Sequence, residues 1–131
     1  YKMWFMSYNT IIIKLTTLYI MKYINYTTYT DCNPYEVFEM NKTGKTAKVR
    51  ALMTERKNAD EDEQSIGGFA CHISHGKNGQ LWEYTSNPEG KTHVMTLRKN
   101  GTWQFKGHAS SNQGCRGHLS DAPHKYYDYN F

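Results

Sequence analysis

Residues 34–53 read PYEVFEMNKTGKTAKVRALM, and this stretch decides the fold class. Its second half alternates, and the positions that we expect to face inward are Ala47, Val49, Ala51 and Met53. Successive side chains of a β-strand point to opposite faces, so this alternation predicts a half-buried strand. Residues 41–45 separate the two halves, and Gly44 among them can adopt a positive φ. The stretch therefore predicts a β-hairpin.

Further strands are predicted on both sides of strong turn sequences. The predicted strands are 69–73, 80–85, 92–98 and 102–105, separated by Gly- and Asn-rich turns. The charged run 55–64 predicts a solvated loop or a short helical turn, residues 107–123 predict a loop, and 125–131 predict a closing strand. About six short strands at this spacing predict an all-β fold, a small antiparallel and partly open barrel of SH3-like or similar type.

The composition changes at Met21. Residues 1–20 contain no Gly, Ala, Pro, Arg, Asp or Glu, and their longest uninterrupted apolar run is the four residues 3–6. A membrane-spanning helix needs about 20 mostly apolar residues, so this leader predicts neither a membrane span nor a membrane partner. We expect residues 1–20 to be upstream translation or a disordered leader, and residues 21–131 to form a single small β-domain.

Charge and cysteine content narrow the class of protein. The formal net charge is +4, and leaving out Lys2 and Lys14 of the leader lowers it to +2, which is ordinary for a small domain. Three cysteines without disulfide-rich spacing are typical of a reducing compartment, so we expect a cytoplasmic protein.

Nucleic-acid binding is one alternative that the basic residues leave open. Six of them fall on two predicted hairpins: Lys42, Lys45, Lys48, Arg50, Arg98 and Lys99. Small β-barrels bind single strands through such cations and through exposed aromatic rings, here Trp82, Tyr84 or Trp103. The opposing interpretation is that these rings are core residues and the lysines protect sheet edges.

A zinc site or a Cys/His hydrolase is the second alternative. Cys71 and His75 have C-x3-H spacing, and Cys115 and His118 have C-x2-H spacing, so the four residues could close a tetrahedral site. The same residues with His72, and with Asp121 or Asp128 to orient a histidine, could form a catalytic group. No C-x2-C pair anchors these spacings, so the residues also fit ordinary core and loop positions.

Several short segments carry a resemblance that spans about residues 25–131. They are Gly67-Gly68-Phe69-x-x-His72, Gln80-x-Trp82, Asn87-Pro88-Glu89-Gly90, Leu97-Arg98-Lys99-Asn100-Gly101-x-Trp103 and Tyr126-Tyr127-Asp128-Tyr129-Asn130-Phe131. As an ordered set they resemble a family of small phage and prophage proteins whose activity is not established. Among the histidines, only His72 falls on this pattern, as a possible polar site.

Together these observations predict a non-enzymatic binding protein. The resemblance implies a phage-type accessory protein that binds a host or phage protein in the cytoplasm of the host cell. We predict that it needs no cofactor. The sequence alone specifies neither the partner nor the oligomeric state.

Overall fold

The computed structural model describes residues 22–67, 70–110 and 114–130, and for residues 65–67 and 70–72 only the backbone. These residues form ten strands and one short 3-10 helix, Ala59–Glu61. The strands are β1 (Tyr23–Thr27), β2 (Cys32–Met40), β3 (Thr46–Ala51), β4 (Met53–Arg56), β5 (Glu63–Gly67), β6 (Ala70–Ser74), β7 (Trp82–Thr85), β8 (His93–Leu97), β9 (Trp103–Phe105) and β10 (Arg116–Ser120).

Six of these strands form a closed antiparallel barrel in the order β1, β2, β3, β8, β9, β10, and β10 pairs back onto β1. Each strand therefore pairs with the barrel strand that precedes it in the chain, as in an up-and-down barrel. Closure matters because it leaves no barrel strand with a free edge. The prediction of a small antiparallel all-β barrel is confirmed, although the barrel is closed rather than partly open.

The connection between β3 and β8 leaves the barrel as a nested insert. Strands β4 and β7 pair as a two-stranded ribbon, and β5 and β6 pair as a second ribbon between them. The 3-10 helix lies between β4 and β5, so the short helical turn expected in 55–64 is present, but strands flank it on both sides.

The barrel encloses the core of the protein. Its buried apolar side chains are Ile24, Tyr26, Ala47, Val49, Met95 and Trp103. They come from four of the six barrel strands, β1, β3, β8 and β9, so side chains of separate strands meet in one common cluster. At about 25 cal/mol per Å² of buried apolar surface, such a cluster is the main favourable term in folding.

Closure between β10 and β1 depends on Gly117. Gly117 lies opposite Tyr26 of β1 and opposite Trp103 of β9. A Cβ at this position would lie 2.8 Å from Ile24 Cγ2 and 3.0 Å from the Trp103 carbonyl oxygen. The strands can approach this closely only because residue 117 has no side chain.

The predicted hairpin of 34–53 is confirmed, with a correction at its end. Strands β2 and β3 pair antiparallel, with a bulge between Val37 and Glu39, and Gly44 in the turn has φ +70°. Ala47 and Val49 are fully buried as expected. Ala51 and Met53, however, are exposed, because the chain turns away at Leu52 and Met53 begins β4 of the insert.

Four further strand predictions are confirmed, and two predictions near the C-terminal end are wrong. Strands β6, β7, β8 and β9 lie where 69–73, 80–85, 92–98 and 102–105 predicted them. The loop predicted for 107–123 is wrong, because Arg116–Ser120 is β10. The closing strand predicted at 125–131 is also wrong: β10 closes the barrel, and the C-terminal segment contributes one bridge, between Tyr126 and Cys32.

Residues 1–20 lie outside the described residues, as do Gly68 and Phe69. Within the part of the chain that is described, no helix has the length and apolar character needed to cross a bilayer.

We predict that Gly117→Ala destabilises the barrel. The added methyl would press against Ile24 and the Trp103 carbonyl, and overpacking of this kind costs about 1–3 kcal/mol in the free energy of unfolding. Urea unfolding followed by tryptophan fluorescence measures this loss. His118→Ala is the matched control, because this neighbouring side chain in β10 is exposed and its loss should change stability by less than about 0.5 kcal/mol. Equal stability of wild type and Gly117→Ala would contradict this account of closure.

Candidate functional site

The barrel opens at one end into a cavity that we call the mouth. It has a volume of about 620 Å³, and it is lined by Tyr35, Thr92, His93, Val94, Phe105, Lys106 and His108. Three barrel strands place these residues together. Strand β8 begins at His93, β9 ends at Phe105, and Tyr35 lies near the start of β2, so in an antiparallel barrel all three belong to the same end.

Aromatic rings form most of the floor of the mouth. The Phe105 ring lies 5.4 Å from Tyr35 and 5.5 Å from His93, and Tyr35 lies 6.0 Å from His93, each pair edge to face. Tyr26 packs beneath, with its ring 4.8 Å from that of Phe105 and its hydroxyl donating to Gln104 Oε1 at 2.9 Å. Edge-to-face geometry is favourable for such rings, so the floor is preformed.

Burial changes the acidity of the Tyr35 phenol in the mouth. It raises the pKa of Tyr35 above its ordinary value, and the neighbouring Tyr26 raises this pKa further. Tyr35 therefore stays neutral at physiological pH and can donate a hydrogen bond. Among the residues that the structure describes, no partner occupies its hydroxyl.

A second cluster of polar side chains lies in the insert. Arg56 of β4 holds Asp62 in a bidentate ion pair, with Nη1 at 3.0 Å from Oδ2 and Nη2 at 2.8 Å from Oδ1. The Arg56 and Asp62 side chains are only 8% and 15% exposed. These hydrogen bonds, first from Arg56 and then from His75, lower the pKa of Asp62, so the carboxylate stays ionised.

His75 connects this ion pair to Gln80. The Gln80 amide has a fixed orientation, because Nε2 faces the Tyr127 carbonyl oxygen at 2.7 Å while Oε1 accepts from Trp82 Nε1 at 3.0 Å. Nε2 must then donate to His75 Nε2 at 2.9 Å, which leaves His75 Nδ1 as the donor to Asp62 at 2.9 Å. Both ring nitrogens of His75 are therefore occupied. We call Arg56, Asp62, His75 and Gln80 the polar network.

The C-terminal segment 121–130 packs against this network. Tyr126 and Tyr129 lie edge to face with His75 at 6.1 and 5.8 Å, and the Arg56 guanidinium lies 5.4 Å from the centre of the Tyr129 ring. The Asn130 side chain bonds both backbone groups of Ile73 in β6, at 2.7 and 2.8 Å. The polar network thus fixes the C-terminal segment onto the insert.

The six predicted nucleic-acid contacts divide into two groups. Three of these basic residues already contact other groups of the protein. Lys48 pairs with Glu39 at 3.2 Å, the Arg50 guanidinium lies 4.0 Å from the centre of the Phe38 ring, and Arg98 bonds Thr96, Ser110 and the Phe105 carbonyl.

The other three, Lys42, Lys45 and Lys99, are exposed. They lie in the β2–β3 and β8–β9 turns, which the Leu97 N–H to Lys45 carbonyl bond of 2.8 Å brings together. This turn end is opposite the mouth. The aromatic rings proposed to stack bases do not lie beside these lysines, because Trp103 is core and Trp82 and Tyr84 are half-buried in the insert.

The predicted Cys/His residues are not brought together among the described side chains. His75 belongs to the polar network, whereas Cys115 packs against the barrel core and His118 is exposed on β10. No group of three or more His, Cys, Asp or Glu in the described residues could hold a metal ion. Cys71 and His72 lie in β6, but their side chains are outside the described part, so their roles stay predictions.

No protein-family model, curated protein or solved structure matches this chain. The resemblance to phage and prophage proteins therefore stays a prediction. The mouth and the polar network are the two regions from which we infer a function.

Sequence reasoning missed both of these regions. A signal for the mouth was present, since His93 and Phe105 continue the inward positions of Met95 and Trp103 to the ends of their strands. The polar network gave no such signal, because Arg56 and Asp62 sit in a charged run that has the composition of a solvated loop.

We predict that Asp62→Asn lowers the melting temperature at neutral pH and that this effect fades in acid. The pKa of Asp62 is lowered by folding, so the ionised carboxylate adds stability above the unfolded value of about 3.9. That contribution is lost as the pH falls through the lower pKa of the folded state. Melting curves of wild type and variant between about pH 7 and pH 2.5 measure the difference.

Asp60→Asn is the control, because Asp60 is exposed on the neighbouring 3-10 helix. Its melting temperature should stay close to that of the wild type. If the melting temperature of Asp62→Asn lies below that of the wild type by the same amount at every pH, the role of the ionised carboxylate is contradicted.

Proposed function

We propose that this protein is a non-enzymatic binding module and that the mouth binds a segment of a protein partner. The observation that carries the proposal is the mouth itself, an open and mostly apolar cavity at the end of a closed barrel. Cavities of about 300–1,000 Å³ with a few convergent polar groups are typical ligand sites, and barrel mouths are a common place for them.

The composition of the mouth supports a protein segment as the ligand. Aromatic floors bind apolar side chains well, because rings supply a large contact area with little loss of conformational freedom. The polar groups at the rim, Lys106, His108 and Thr92, can fix the orientation of a bound peptide. Strands β2, β8 and β9 hold the floor, so binding requires little rearrangement.

The polar network supports a role without catalysis. A carboxylate bonded to a histidine is the usual arrangement of a general base, and Asp62 and His75 have it. The nitrogen that such a base would use is His75 Nε2, and Gln80 occupies it. Burial also raises the pKa of the Cys32 thiol, which keeps it in the unreactive protonated form.

The biological setting follows from the resemblance as a proposal. If the chain is a phage-type accessory protein, its partner is a host or phage protein in the host cytoplasm. Nucleic-acid binding is the second candidate, and the exposed Lys42, Lys45 and Lys99 at the turn end favour it. Trp82, Tyr84 and Trp103 do not lie beside these lysines, so binding there would rest mainly on phosphate contacts.

We predict that Thr92→Trp blocks binding at the mouth. Thr92 is exposed at the rim, so an indole there would fill the cavity without entering the core. Short peptides selected on the wild type from a random display library should bind this variant at least about tenfold more weakly, by fluorescence polarisation. Lys106→Trp, at another exposed rim position, repeats the test if Thr92→Trp lowers the melting temperature.

Thr85→Trp is the matched control, since Thr85 is exposed on β7 of the insert. The selected peptides should bind it as they bind the wild type. If the selected peptides bind Thr92→Trp and Thr85→Trp equally well, the mouth is ruled out as their binding site. Tight binding of an oligonucleotide that weakens steeply with salt, and that is lost when Lys42, Lys45 and Lys99 become Gln, would favour the second candidate instead.

A further inference from the structure

The polar side chains that line the mouth include several hydrogen-bond donors and one cation. Lys106 carries a positive charge, the imidazole of His93 can donate an N–H bond, and the neutral Tyr35 hydroxyl can donate an O–H bond. None of the seven lining residues is an aspartate or a glutamate. The mouth therefore favours a ligand that brings hydrogen-bond acceptors and negative charge.

The donors surround an aromatic floor. Tyr35 and His93 flank the Phe105 ring, and His108 lies edge to face with the same ring at 5.8 Å. A ligand that fills the mouth must place an apolar or aromatic group against Phe105. Its polar end then lies within reach of the rim, where Lys106 is exposed and has no ion-pair partner among the described residues.

We infer that the mouth recognises an aromatic side chain with a carboxylate beside it, which means a peptide segment with an acidic residue next to an aromatic anchor. This inference rests on the proposed function and adds the chemistry of the partner. The aromatic group occupies the ring-lined floor. The carboxylate pairs with Lys106 and accepts hydrogen bonds from the other donors of the mouth.

Charge complementarity favours a peptide over a nucleic-acid strand. A strand presents one phosphate at every nucleotide, and tight binding requires several cations along its path. The lining of the mouth supplies one lysine, and the exposed lysines of the turn end lie at the opposite end of the barrel. A single carboxylate beside an aromatic group matches one lysine beside an aromatic floor.

Two probes, one with a carboxylate and one with a neutral amide in its place, test the inference. The 131-residue protein is labelled with 15N and titrated with N-acetyl-tryptophan, which has a carboxylate, and with N-acetyl-tryptophanamide, which is neutral. Both should shift the amide signals of the residues that line the mouth. The carboxylate probe should bind roughly threefold to fivefold more tightly, as expected for one partly exposed ion pair. This preference should shrink as the NaCl concentration rises from about 0.05 M to about 0.5 M.

Lys106→Gln should abolish the preference for the carboxylate probe. Lys99→Gln is the matched control, because Lys99 is an exposed lysine at the turn end, and it should keep the preference. Retention of the preference in Lys106→Gln would overturn the role of this lysine.

The remaining outcomes separate this inference from the proposed function. If neither probe shifts the signals of the mouth, the mouth is not a binding site, and both proposals fail. Equal affinities for the two probes would leave the proposed function in place and overturn the acidic preference. Tighter binding of thymidine monophosphate than of either probe, also dependent on Lys106, would overturn the peptide assignment in favour of a nucleotide.

Discussion

Closure of the barrel at Gly117 is the constraint on which the rest of the structure depends. Strand β10 must lie close enough to β1 and β9 to complete the ring of six strands, and a side chain at 117 would collide with Ile24. Closure removes the free edges of the barrel and seals Met95 and Trp103 into one core. The mouth also depends on the barrel, because strands β2, β8 and β9 bring its lining residues together at one end.

The insert shows how a charged segment can become part of a folded unit. Arg56 and Asp62 are withdrawn from water, which is costly unless each charge is paired and hydrogen-bonded. Their bidentate pairing meets that condition, and His75 and Gln80 extend the bonds to the C-terminal segment. This arrangement has the parts of a catalytic dyad, but its hydrogen bonds are directed inward and hold three segments of the chain together.

The two ends of the barrel expose different side chains and therefore suit different ligands. The turn end carries exposed lysines, while the mouth combines rings with a few donors. Isolated surface charges contribute little affinity, whereas an apolar cavity with convergent polar groups can bind a ligand specifically. The sequence places basic residues near both ends, and only their packing shows that Arg98, Lys48 and Arg50 are already engaged within the protein.

Features that depend only on neighbouring residues can be recognised in the sequence alone. The alternation around Val49 and the turn at Gly44 fix the β2–β3 hairpin, and the similar patterns of 92–98 and 102–105 locate β8 and β9. Side-chain alternation and positive φ are local properties of the backbone, so they can be seen in a single sequence.

The pairing of strands into sheets and the burial of polar residues depend on contacts that form only in the folded protein. Arg116–Ser120 has little apolar content, and it becomes a strand because β1 and β9 offer it free edges and room at Gly117. Met53 continues the alternation of β3 in the sequence but leaves the barrel, since the chain turns at Leu52. Arg56 is buried because Asp62, distant by six residues, folds back to pair with it. These outcomes rest on contacts between separate segments, and no local pattern in the sequence records them.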